Sequence, residues 1–426
     1  MKTSEVEALL PVALGRSRIP VARGAQGGRW VFASGVAATD DRMGYAHEVT
    51  GGGRPLSGEP RWYREAHCMY QRAAEVLDAG GADFSRAVRS DQYFPDWRAV
   101  PFMHQARRER CGAYIAPSTS VLVPQLLLPD AGMSMDVIAV RSGGVTVTPV
   151  FPPGLDIPAT SSFVPVATAG DYVFVAGFLA AWQPGDLGGI APEAKVPEGH
   201  LWKGNRIQLE ADYIIRNKLI PALAGAGAAL ADVVKAQVYL ADINDVPAFN
   251  QVWARHFGEA VPATTFIPTL NPGFAVAEAR CEINLLALKN GGGTRKVTAR
   301  QTSPAVCDGH PVAVRAGDLL CFSGLVAADG KGPVRHGKRG ARPGIAAQMD
   351  YLLGVAADTC AEFGTSLGNV LRIQQVHTDL GDFLPACQAW KRRLKGRPLP
   401  ISAIQVPGPL LVPGCTVQLD LWVYVP

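Results

Sequence analysis

None of the eight cysteines (Cys68, Cys111, Cys281, Cys307, Cys321, Cys360, Cys387, Cys415) forms a CxxC pair. Neither a zinc site of that spacing nor a thioredoxin-like dithiol is therefore available. Their scatter through apolar contexts predicts buried free thiols in a reducing cytoplasm. No apolar run reaches the ~20 residues that span a bilayer. The opening MKTSEVEALLPVALGR carries two glutamates ahead of a short apolar stretch and lacks the core and cleavage site of a secretory leader. Charge of one sign is scarce: 41 basic against 37 acidic residues give a formal net charge of +4, too slight for nucleic-acid binding. The strand-to-helix GxSxG elbow, the phosphate loop and the dinucleotide fingerprint are missing. These absences predict a cytoplasmic protein with no nucleic-acid partner and no membrane.

What is present is repetition. Hydrophobic residues make up 48% of the 426, enough for several cores. The most legible stretch, 163–288, reads as strand, helix, strand, helix, strand, strand. In VVKAQVYL, alternation puts Val234, Ala236, Val238 and Leu240 on one face and Lys235, Gln237 and Tyr239 on the other. The same order of signals recurs on either side. WVFASGVAA, YVFVAGFLA and LLCFSGLVA occupy equivalent places, as do the tails SMDVIAVR, EINLLALK and QLDLWVYV. A repeat of this period is one structural unit used several times, and three copies suggest a single-chain imitation of a symmetric trimer. Stretches of linker composition at 142–158 and 289–296 divide the chain into expected modules 1–148, 149–291 and 292–426.

At these residues the chain resembles the RidA/YjgF family, also called the endoribonuclease L-PSP family. The middle module carries the likeness almost end to end, in VFVAG, in the GA-x-L-x-DVVK-x-x-VYL-x-D-x-NDVPAFN centre and in the PATT…CEINLLA close. The outer modules match by position more than by identity. The resemblance implies an α+β fold of the chorismate-mutase-like type. Three such modules would form a pseudo-trimer, sheets inward and helices outward, with clefts between neighbours. It also implies a small-molecule substrate, hydrolysis of imines or enamines, and no metal or organic cofactor. Further homo-oligomerisation stays open.

Site residues follow from the same resemblance. Glu282 matches the glutamate that positions and activates water, while Ser134 and Gln418 stand in its place in the outer modules. Asp136 and Asp420 lie two residues further on, one pleat or ~7 Å away, too far for that role. The family arginine that grips a substrate carboxylate after a Pro-Ala pair is replaced by Thr119, Thr264 and Ser402. A hydroxyl cannot replace a guanidinium fork, so the expected substrate is not a simple 2-imino acid, and Thr264 would offer a hydrogen bond to a neutral group. Asn250 matches a family asparagine, with His104 and Cys387 as counterparts. Phe163 replaces an aromatic hydroxyl, with Val21 and His310 as counterparts. The candidates are thus Glu282 for catalysis and Thr264, Asn250, Phe163, Phe266, His310 and His104 for binding, with no metal site.

Blander readings compete with each. Glu282 would alternatively pair with Arg280. The two histidines are rival acids or bases near neutral pH. Basic residues at Arg335, His336, Lys338, Arg339 and Arg342 would either attract an anion or form a solvated loop. His200, Trp202, Lys203 and Arg206 would form a lid. Cys281 falls on the face opposite Glu282. The leading expectation is a cofactor-independent hydrolase or deaminase of a small imine, enamine or amide-like metabolite. The alternatives are a non-catalytic binding or scaffold protein, or a lyase or cyclase of a specialised pathway.

Overall fold

The structure is a computed structural model that describes residues 5–40, 44–50, 58–155, 162–182, 188–200, 202–299, 309–329, 331–334 and 344–426. Cys307 and the basic residues Arg335, His336, Lys338, Arg339 and Arg342 lie outside the described residues. The fold is mixed α+β. One element order recurs three times: an antiparallel hairpin, a long helix, a central strand, a short helix, a cleft-side strand and a closing strand.

In the middle stretch the hairpin is Val166–Ala169 with Tyr172–Phe178, and the central strand is Val233–Leu240. That strand runs parallel to Ala263–Pro268, pairing Ala236 with Thr264 and Val238 with Phe266. It runs antiparallel to Cys281–Leu288, pairing Gln237 with Asn284 and Tyr239 with Glu282. Linker composition at 142–158 does not prevent a strand there. Val147–Val150 pairs with Val166–Ala169 and forms the edge of the middle sheet. The N-terminal Glu7–Leu14 likewise adds an antiparallel edge to Ile19–Gly27.

The two outer stretches share a single sheet. Ile19–Gly27 runs parallel to Leu399–Gln405, with Val21 opposite Leu399 and Ala22 opposite Pro400. Paired helices cover each sheet from outside: Arg61–Ala79 with Val100–Cys111, Arg206–Ile214 with Val246–Phe257, and Ile345–Glu362 with Phe383–Arg393. Among the described residues no helix is long and apolar enough to cross a membrane.

The inner sheet faces meet at the centre. Trp30 and Phe32 from the first stretch, Phe174 and Leu286 from the middle, and Cys321 and Trp422 from the last share one apolar cluster. Val234 belongs to this cluster, not to the helix-facing one that holds Ala236, Val238 and Leu240. A register shift between Val233 and Lys235 is the reason, since a bulge places two successive side chains on one side of the sheet. The same shift occurs at Ala87/Arg89 and Val370/Arg372, so Val88 and Leu371 join the cluster too.

Beside this cluster lies a buried charge network. Arg372 donates to Asp136 at 2.6 Å and lies 3.6 Å from Asp91; Arg89 donates to Asp91 at 3.0 Å; Lys235 lies 3.0 Å from Asp420. All six side chains are at most 3% exposed. Asp136 and Asp420, one pleat from the glutamate position, thus take part in ion pairs that cross between stretches.

Candidate active site

Glu282 sits near the start of the closing strand Cys281–Leu288 and is 5% exposed. The neighbouring strand Tyr172–Phe178 slips register between Val175 and Phe178, around Gly177. A β-carbon on Gly177 would overlap the Glu282 carboxylate and lie 2.6 Å from Oγ1 of Thr119. Glycine is thus what lets the carboxylate approach the backbone here. Gly177→Ala is therefore expected to displace Glu282 and to reduce any turnover at least as far as Glu282→Gln does, checked by steady-state assay of the folded variant.

The strand is aimed from its first residues. Glu210, buried on the long helix, accepts the Arg280 N–H at 2.7 Å; the Arg280 side chain pairs with Asp245 at 2.5 Å and with Asp242 at 3.6 Å. Arg280 is thus engaged away from Glu282, contrary to the ion pair weighed above. Burial pushes the Glu282 carboxyl up to about 8, with Asp91 adding to the effect and Arg89 opposing it. The group is mostly protonated at neutral pH. Cys281, on the opposite face, is buried, and burial raises its thiol well above the ordinary range.

Glu282 opens into a cavity of about 530 Å³ between the first and middle stretches. His104 and Arg107, from the helix Val100–Cys111, line it with Phe163 and Lys218. Phe94, Trp97, Phe178 and Phe274 supply aromatic wall. Burial and the neighbouring Arg107 and Arg108 pull the His104 imidazole down to about 3. It is neutral across the physiological range. Thr119 occupies the arginine position beside Glu282 and accepts from Asn284 Nδ2 at 3.0 Å. A guanidinium is nevertheless close: Arg107 Nη1 donates to Ser118 Oγ at 3.1 Å.

The other four predicted binding residues gather elsewhere, between the middle and last stretches. His310 Nε2 lies 3.1 Å from Asn250 Oδ1, and its ring stands edge-on to Phe266 at 5.7 Å. Gln418 donates to the Phe266 carbonyl at 2.9 Å, and the Thr264 N–H donates to Ser323 Oγ at 3.0 Å. Burial draws His310 down to about 4. Glu282, Phe163 and His104 therefore share one cavity, whereas Thr264, Asn250, Phe266 and His310 lie at another junction, where His310 Nδ1 is buried without a hydrogen-bond partner. At the third junction, Ser134, Gly35 and Val21 border a cavity of only about 90 Å³. The proposed lid residues His200, Trp202, Lys203 and Arg206 do not line the Glu282 cavity; Trp202 is fully exposed, and Arg206 pairs with Glu210 at 3.1 Å.

Lys218 and Arg107 escaped sequence reading because both sit within amphipathic helices. A signal for Lys218 did exist. Gly81 follows Glu65 by 16 positions and Gly364 follows Gln348 by 16, whereas Gly227 follows Glu210 by 17. The extra residue is absorbed as a π turn, Ile215–Leu219, between the helices Arg206–Ile214 and Ile220–Gly225. Lys218 lies in that turn. The corresponding helices Arg61–Ala79 and Ile345–Glu362 are uninterrupted.

Residues 155–288 match the Endoribonuclease L-PSP family model. The likeness to the RidA/YjgF family falls on the middle stretch of the chain. A RutC family protein of Pyrococcus abyssi is 38% identical over 94 residues, 22% of this chain and 62% of the relative. Protein MMF1, mitochondrial, of Saccharomyces cerevisiae is 29% identical over 127 residues, 30% of this chain and 76% of the relative. The chain thus spans a little over three fifths of the length of the first curated relatives it matches. Among solved structures, yeast Mmf1 shares 26% identity over 34% of this chain and all of its own, with a TM-score of 0.26. A chorismatase shares 12% identity over 80% of this chain and 93% of its own, with a TM-score of 0.49. Among the described residues, no group of three or more His, Cys, Asp and Glu is placed to hold a metal ion.

Proposed function

We propose that the chain is a pseudo-trimer of three RidA-like modules, 1–148, 149–291 and 292–426, working as a cofactor-independent hydrolase of a C=N bond in the cleft of Glu282. The observation that carries this reading is the buried carboxyl of Glu282, raised to about 8 and opening into a cavity of about 530 Å³. A carboxylic acid held neutral at pH 7 is suited to proton transfer in both directions.

The protonated acid gives its proton to the imine nitrogen, leaving an iminium and the Glu282 carboxylate. Water then adds to the carbon while the carboxylate takes one of its protons. That proton is returned to the amine nitrogen of the carbinolamine. The Glu282 carboxylate takes the hydroxyl proton as the carbonyl forms, the C–N bond breaks and ammonia departs. Imine plus water becomes ketone plus ammonia, with Glu282 regenerated. The aromatic walls limit competing water and favour a substrate larger than a simple 2-imino acid.

The test is ammonia release and loss of C=N absorbance over a panel of imines and enamines, with wild type and Glu282→Gln compared. Turnover confined to wild type is expected. Because the acid form starts the cycle, kcat/KM is expected to be flat below pH 8 and to fall about tenfold per unit above it. Equal turnover by the variant would remove Glu282 from the chemistry, and a rate that climbs through pH 8 would assign the work to its ionised form.

A further inference from the structure

The polar side chains that line the Glu282 cavity fall into two groups. In the first, Arg107 Nη1 donates to Ser118 Oγ at 3.1 Å, and Ser118 Oγ and Ser120 Oγ both donate to Gln92 Oε1, at 3.0 and 2.7 Å. Gln92 passes the chain on, donating to Ser90 Oγ at 2.9 Å. Lys218, like Arg107, is engaged within the protein. These groups are met by the protein's own atoms. The carboxyl of Glu282 and the imidazole of His104 form the second group. Both line the cavity, and among the described residues neither has a hydrogen-bond partner.

The two groups stand on different partners of the cleft, Glu282 on the closing strand of the middle stretch and His104 on the helix Val100–Cys111 of the first. His104 is neutral, and Glu282 is mostly protonated at neutral pH. A neutral imidazole carries one N–H donor and one acceptor nitrogen; a protonated carboxyl carries one O–H donor and further acceptor capacity. Phe94, Phe163, Phe178 and Phe274 supply apolar wall. A cavity of about 530 Å³ is of the size that encloses a small organic molecule. A ligand that fills it displaces water from both groups, and either one left without a replacement bears the full cost of desolvation. A charged ligand would shed its own water against a mostly apolar wall whose cations are already engaged.

We propose that this cavity takes an uncharged ligand with an apolar, ring-bearing body and two polar ends: a C=N or C=O group at Glu282, and a hydroxyl or carboxamide at His104. A hydroxyl donates to the imidazole nitrogen or accepts from its N–H, and a carboxamide can do both. The second polar group sits away from the reacting bond, and it selects the substrate in place of a carboxylate. This inference rests on the hydrolase reading only for which end reacts; the selection itself is measured without turnover.

The experiment is calorimetric titration of the full chain at neutral pH with phenylacetone, its para-hydroxy derivative and its para-carboxylate derivative. The hydroxy compound is expected to bind at least about fivefold more tightly than either of the others, with an affinity that does not change with salt. His104→Leu, which suits a helix and fills similar space, is expected to bring that compound down to the level of the parent ketone. His104→Gln keeps a donor and an acceptor and should retain part of the preference. Equal binding of all three by wild type overturns the proposal, as does tightest binding of the carboxylate or failure of all three to bind. So does a hydroxyl preference that survives in His104→Leu. The wild-type comparison decides even where a variant fails to fold. A hydroxyl preference in a wild type that turns over no imine would sink the hydrolase reading and leave the ligand assignment standing.

Discussion

Glu282→Gln is expected to raise the stability of the protein at pH 9 while leaving it nearly unchanged at pH 5. The carboxyl titrates at about 8 in the fold against an ordinary 4.5. The folded state therefore holds the proton more tightly than the unfolded chain does. Below 4.5 both states are protonated and the burial carries no charge penalty. As pH rises from 4.5 to about 8, the unfolded chain ionises while the folded one resists, and stability drains by about 1.4 kcal/mol per pH unit. By pH 9 the difference approaches about 5 kcal/mol. Glutamine is neutral at every pH and keeps the shape. Urea unfolding of both proteins at pH 5, 7 and 9 checks this: a gap that widens with pH is expected, and a constant gap would mean that Glu282 ionises freely in the fold. Proteins accept such losses where a perturbed group does chemistry.

The second large effect is expected at the central charge network. Lys235 Nζ lies 3.0 Å from Asp420 Oδ2 and donates to Thr265 Oγ1 at 2.6 Å and to the Phe322 carbonyl at 2.5 Å. Lys235→Met would leave Asp420 as a buried anion with, among the described residues, Gln237 donating to it at 3.3 Å. Removing one partner of a buried pair costs about 3–5 kcal/mol, whereas removing both charges is often neutral. The single variant is thus expected to lose that amount in urea unfolding, and Lys235→Met combined with Asp420→Asn is expected to recover most of it. A double variant as weak as the single would show that the Thr265 and Phe322 contacts, not the ion pair, hold the junction. The pairing joins the middle stretch to the last, and Arg372 with Asp136 joins the last to the first. These unlike pairs favour one arrangement of the three stretches over others in which like charges would meet.

Much of the fold was legible from periodicity and repetition. The strands Val233–Leu240 and Cys281–Leu288 and the helix Val246–Phe257 fall where alternation and the NDVPAFN segment put them. What was not legible depended on register and on neighbours distant in sequence. A one-residue shift sends Val234 away from Ala236, and no local pattern announces it. Val147–Val150 looks like linker because a sheet edge supplies what its composition lacks. Asp136 and Asp420 looked like displaced site carboxylates, since their partners Arg372 and Lys235 are far along the chain.

The candidate site divides in the same way. Glu282, Phe163 and His104 converge on one cavity, whereas matching each repeat position by itself could not tell that Thr264, Asn250, Phe266 and His310 face a different neighbour. Arg107 and Lys218 were hidden by the helical pattern around them. Only the spacing of Glu210 and Gly227, one longer than in the other two repeats, carried any trace.

The parallel pairing of Ile19–Gly27 with Leu399–Gln405 has a consequence for synthesis. Val21 and Leu399 are joined across nearly the whole length of the chain, a contact of very high order whose loop closes late. While the ribosome is still making the middle stretch, the edge of the first sheet has no partner. An unpaired edge invites strands from other chains. The antiparallel cover that Glu7–Leu14 gives Ile19–Gly27 is available from the first moments of translation, on the flank where that strand is not waiting for its distant neighbour.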